Sequence, residues 1–213
     1  MKIIQSYLII IFCILIISCQ ENVVSKKTSK ELEKIFTTEE IIDLNTLVGY
    51  FESKIRIEGK DIEQCYKDWF WTVQNNGYES VYNIDIFKFE DQTEVYRKIS
   101  ESTFNEIWVF TRQYNLESKD TLKVVSPNID GKYIKYIKEI GKRRKEVKDY
   151  FDSIDWAFEY GMVSAFPVFL KRDTLDNNWE FRNGFEDYND KVILTIMTLT
   201  VVDEYYRKEK WKE

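Results

Sequence analysis

The 213-residue sequence contains no histidine. That removes Ser-His-Asp and Cys-His catalysis, histidine-ligated zinc and a histidine pH switch. It has only two prolines and seven glycines. So few chain breakers, among 14 Tyr, 14 Phe and 6 Trp, predict long helices. Of the three cysteines, Cys13 and Cys19 lie in the first segment, leaving Cys65 alone beyond it. No Gly-x-Ser-x-Gly, Ser-x-x-Lys, phosphate-binding loop or Gly-x-Gly-x-x-Gly is present. Asn128-Ile129-Asp130-Gly131 has the core of a calcium loop. Ser126 at the first ligand position and Ile137 at the bidentate one exclude it, and no cofactor or metal is expected.

What is present begins at the N-terminus. Lys2 is followed by an apolar run, Ile3 to Ile17, interrupted by Gln5, Ser6 and Cys13. It ends in Ile16-Ile17-Ser18-Cys19, after which the sequence turns polar. The run is shorter than the ~20 apolar residues that a membrane-spanning helix needs. This segment resembles the signal peptide and lipobox of a bacterial lipoprotein. The resemblance implies cleavage after Ser18 and a diacylglycerol on the Cys19 sulfur. It also implies a cell-envelope address, lipid-anchored, at the outer membrane if the cell has one and facing the periplasm or the exterior. Gln20 is compatible with that transport.

Removing residues 1–18, which carry the single charge of Lys2, leaves 195 residues at a formal charge of −7. A chain this acidic is a poor ligand for nucleic acid. With Cys19 acylated, Cys65 has no disulfide partner, and Ile62 and Trp69 around it predict a buried structural thiol. Residues 19–36 read as a lipidated N-terminus and flexible tether, reaching on the order of 23 Å from the membrane as a coil. Residues 37–213 read as one globular domain.

Thr37-Thr38-Glu39-Glu40 is a capping box that opens a helix carrying Ile41, Leu44, Val48, Phe51 and Ile55 on one face, with Gly59 as its stop. A second helix carries Ile62, Tyr66, Trp69 and Val73, ended by Asn75-Asn76-Gly77. Tyr78, Tyr82, Ile86 and Phe89 fit a helix or a strand. Val95, Ile99, Thr103, Ile107 and Phe110 repeat at helical spacing, and residues 116–125 read as a short strand or a loop. Ser126-Pro127 predicts a helix start, with an apolar seam of Tyr133, Ile137, Ile140, Val147, Phe151, Ile154 and Phe158 running to Tyr160. A loop with Pro167 and the polar stretch Asp173–Asn178 follows. The last helix carries Phe185, Tyr188, Val192, Ile196, Leu199 and Val202. Its middle is apolar on nearly all sides, which places it at the centre of a bundle. The expected fold is mainly α, a helical bundle-like single domain with minor strand content around 80–125.

Carboxylates are the chemistry left. Glu186, Asp187 and Asp190 cluster, as do Asp173 and Asp176, with Trp179 and Phe181 nearby. A glycosidase needs two carboxylates flanking one bond. A solvated acidic loop and the acidic first turn of a helix explain the same residues more simply. Trp69, Phe70 and Trp71 are all core if their helix is buried on two sides. Otherwise Trp71 is an exposed aromatic of the kind that anchors interfaces.

Charge order is the most unusual pattern. Residues 127–148 hold eight basic residues, including Lys142-Arg143-Arg144-Lys145, against three acidic. Residues 149–160 hold four acidic residues and no base. The helix dipole prefers the opposite order. A break at Gly141, pairing with an oppositely oriented partner, docking near anionic head groups and a purely solvated face each account for it. The expectation is a non-enzymatic envelope lipoprotein that binds another protein, as an accessory, inhibitor or immunity-type factor. Trp71, Lys142, Arg143, Arg144 and Lys145 form its candidate surface. The alternatives are a carboxylate hydrolase of envelope glycan, dependent on Glu186 or Asp190, and a carrier of a small ligand.

Overall fold

The computed structural model describes residues 27–76, 86–114, 121–159 and 185–209, leaving out the side chains at 74–76, 113–114, 156–159 and 208–209. Helices α1 (Lys30–Ile35), α2 (Thr38–Ile55), α3 (Ile62–Asn76), α4 (Phe89–Lys98) and α5 (Glu101–Ile107) precede a hairpin of β1 (Trp108–Tyr114) and β2 (Thr121–Pro127). Then come α6 (Lys132–Gly141), α7 (Lys145–Glu159) and α8 (Tyr188–Glu209). The protein is a mainly α single domain with one small two-stranded sheet. No helix among the described residues is long and apolar enough to cross a membrane.

The organising element is α8, every residue of which from Asn189 to Glu204 is buried. It contacts α2, α4 and β2. Such a helix needs its polar groups satisfied from neighbours. Trp108 Nε1 donates to Thr200 Oγ1 at 2.8 Å, and Gln92 Nε2 donates to the Leu199 carbonyl at 2.7 Å. These two bonds tie β1 and α4 to α8. Beside it lies an aromatic core. Phe51 stacks on Phe87 at 5.8 Å, Tyr66 on Phe185 at 5.2 Å, and Trp69 meets Phe87 edge-on at 5.4 Å. Such pairs contribute about 0.5–1.5 kcal/mol each beyond area burial.

The capping box forms: Thr37 N–H donates to Glu40 Oε2 at 2.7 Å, and Glu40 N–H donates to Thr37 Oγ1 at 3.3 Å. Ile41, Leu44, Val48, Phe51 and Ile55 all face the core, as does the free thiol of Cys65. α2 ends at Ile55, and Gly59, at φ 80°, makes the turn toward α3.

Four expectations are corrected. Residues 27–36 are part of the fold rather than of the tether. Ser29 caps α1, and Leu32 and Phe36 are core residues. Phe110 lies on a strand, because the helix pattern from Val95 is interrupted at Ser100, which caps α5, and ends at Ile107. Ser126 and Pro127 close β2 instead of opening a helix, and α6 starts after Gly131. Its first N–H, from Lys132, is capped from another helix, by Glu106 Oε2 at 2.9 Å. Finally, the seam from Tyr133 to Tyr160 does not form one helix: it is divided after Gly141, the break that is one account of the charge order. At Gly141 a Cβ would lie 3.1 Å from the Lys148 Cα, so the α6–α7 crossing is tighter than most side chains allow. Tyr78, Tyr82, Pro167, Asp173, Asp176, Asn178, Trp179 and Phe181 lie outside the described residues.

Candidate functional site

The basic run occupies the turn between α6 and α7, and its members separate by role. Arg144 faces inward. Its Nη1 donates to Asp190 Oδ1 at 2.6 Å and lies 3.5 Å from Asp187 Oδ2, while its Nε donates to Glu146 Oε1 at 2.7 Å. Three carboxylates around one guanidinium hold that guanidinium charged. Asp190 is 1% exposed. Burial pushes its carboxyl up to about 6 despite the Arg144 contact, and Asp187 and Glu146 push the same way.

The neighbouring residue extends this network. Asn189 Oδ1 accepts from Tyr136 Oη at 2.7 Å and from Ser29 Oγ at 2.6 Å, and its amide donates to Glu31 Oε2 at 3.0 Å. The head of α8 is thereby tied to α6, to the α6–α7 turn and to α1. Lys142 pairs with Glu139 at 2.5 Å, Lys145 with Asp149 at 2.5 Å, Lys148 with Asp152, and Arg143 with Glu31. Lys34 also reaches Glu139, at 2.6 Å. Held by these two ammonium groups, Glu139 stays ionised down to about 2. The base-then-acid order of α7 is therefore met by i,i+4 pairs along its own surface.

Of the candidate carboxylates, Glu186 is exposed while Asp190 is sealed and clamped. Their surroundings suit a structural clamp at the head of a buried helix. No group of three or more metal-ligating side chains exists among the described residues. Asn128–Gly131 is an Asx turn, with Asp130 N–H donating to Asn128 Oδ1 at 3.2 Å.

The three aromatics divide by helical phase. Trp69 and Phe70 are buried and Trp71 is 58% exposed. The α3 backbone that presents it is fixed by the buried Cys65, Tyr66, Trp69, Phe70 and Val73. Sequence reasoning missed two features of this region. It did not separate Arg144 from its three cationic neighbours, and it did not see α1 docking beside them. The signal for the second was present in Ser29 and Leu32, a cap followed by an apolar residue.

Comparison with known protein families, with characterised proteins and with solved structures finds no match.

Proposed function

We propose that this chain is a lipid-anchored envelope lipoprotein, acylated at Cys19, that works by binding another protein rather than by catalysis. The observation that carries the reading is Trp71. A tryptophan more than half exposed, on a helix whose other aromatics are locked in the core, is a rigid anchor with little conformational entropy left to lose. Trp69, two residues earlier on the same helix, is the tryptophan that packs into the core. The clamped carboxylates at the head of α8 serve packing and leave the surface to recognition.

The test is quantitative co-purification from envelope extracts, wild type against Trp71→Ala, with a melting curve for each. One stoichiometric protein is expected with the wild type. Its recovery should fall at least about ten-fold in the variant, the loss of a central anchor residue, with an unchanged melting temperature. Absence of any stoichiometric protein, or equal recovery with both, overturns the reading.

A further inference from the structure

Every exposed residue from Lys132 to Arg143 is a cation: Lys135, Lys138, Lys142 and Arg143. In an acidic protein this is a segregated face. Among the described residues Lys135 and Lys138 have no carboxylate partner. Lys138 instead lies over the Phe151 ring at 4.5 Å. Lys142 and Arg143 are paired, but with both cations well exposed such pairs are weak and exchange readily.

Position gives the face its meaning. α1 runs antiparallel to α6, with Glu31 at Arg143, Lys34 at Glu139, and Phe36 against Tyr136 at 5.9 Å. The N-terminal end of α1 therefore lies beside the C-terminal end of α6, and Lys27 just before it is held on α2 by Asn45 and Glu52. That end also carries the negative pole of the helix dipole, which favours its lysines there. Only residues 20–26 separate Cys19 from the first described residue, Lys27. Whatever its conformation, that link spans no more than about 26 Å. So short a link keeps the domain close to any bilayer that holds Cys19, within about three screening lengths at physiological salt.

We propose that the solvent face of α6 is a membrane-docking surface for anionic phospholipid headgroups, orienting the domain with α6 toward the bilayer. This rests on the acylation of Cys19. The phosphates would meet Lys135, Lys138 and Lys142 as point charges while Arg143 contacts the headgroup region beside the tether. Glu31, Glu33 and Glu139 moderate the local charge without reversing it.

The experiment uses the full chain purified from cell membranes in detergent and reconstituted into phosphatidylcholine vesicles with and without phosphatidylglycerol. Flotation is followed by lysine labelling with a water-soluble amine reagent, read residue by residue against Lys60. Labelling of Lys135, Lys138 and Lys142 should fall about five-fold in the anionic vesicles and recover in high salt. Lys135→Glu with Lys138→Glu should abolish the dependence on composition. Flotation with both vesicles but equal labelling keeps the anchor and overturns the docking face, pointing to an acidic protein as the cations' partner. Flotation with the anionic vesicles alone supports docking and removes the anchor. Flotation with neither overturns both.

Discussion

α8 buries an aspartate near each end, and the two are held differently. Asp190 and Asp203 are each 1% exposed, and burial raises the carboxyl of both. Asp203 takes its counter-charge from its own helix, with Arg207 Nε at 2.5 Å one turn on. Asp190 takes its from Arg144, in a turn between two other helices. The first pair needs only α8 to exist. The second exists only when α6, α7 and α8 are assembled. A buried ion pair within one helix neutralises a charge, while one between helices also fixes their relative position.

Breaking the tertiary pair has the largest expected effect. Arg144→Met leaves Asp190 buried without its counter-charge and exposes Glu146 and Asp187 to mutual repulsion. A loss of about 3–5 kcal/mol is expected in urea unfolding. A loss below about 1 kcal/mol would show that the pair is incidental to the assembly.

The next effect is read in pH. The Asp190 carboxyl is raised to about 6 in the folded state, against about 3.9 in an unfolded chain. Its contribution to stability is therefore fully present below pH ~3.9 and is lost as pH rises through about 6, costing at most about 3 kcal/mol at neutral pH. Urea midpoints from pH 4 to 7 should show wild type losing stability relative to Asp190→Asn across that window. Parallel curves would refute the assignment.

The smallest effect is at the other end. Arg207→Met should cost about 1–2 kcal/mol, because the lost pair lies within one helix and leaves the contacts between helices in place. Methionine would also keep part of the cover that Arg207 gives the Phe89 and Phe110 rings, 5.2 and 5.3 Å from its guanidinium. A cost equal to that of Arg144→Met in the same urea series would erase the distinction between the two pairs.

What could be read from the sequence follows the same division. The Thr37 capping box, the apolar faces of α2 and α3 and the buried middle of α8 are local patterns, each written within one or two turns. The exposure of Trp71 follows from helical phase once one knows that α3 is buried mainly on one side. Features whose partners are distant in sequence were hidden. Glu106 caps α6 from 26 residues away, and Arg144 finds Asp190 46 residues later. α1 has only six residues, too short to hold as an isolated helix, and Ser29 is secured by Asn189, 160 residues on. Phe110 matched the helical repeat, but the strand that claims it exists only through pairing with β2, where it sits opposite Val125.

The antiparallel docking of α1 has a mechanical consequence. Any pull on the chain N-terminal to Lys27 first meets α2, where Asn45 Nδ2 donates to the Lys27 carbonyl at 3.0 Å and Glu52 lies 3.7 Å from the Lys27 ammonium. The Ser29 contact with Asn189 and the contacts of Glu31 with Asn189 and Arg143 come next, and those of α1 with Glu139 and Tyr136 afterwards. Force in that geometry opens contacts in sequence, as a zip, rather than straining them in parallel. α1 would peel away at low force while the capped start of α2 still grips the core. The first helix is thus a sacrificial link, giving way under tension before the rest of the molecule is disturbed.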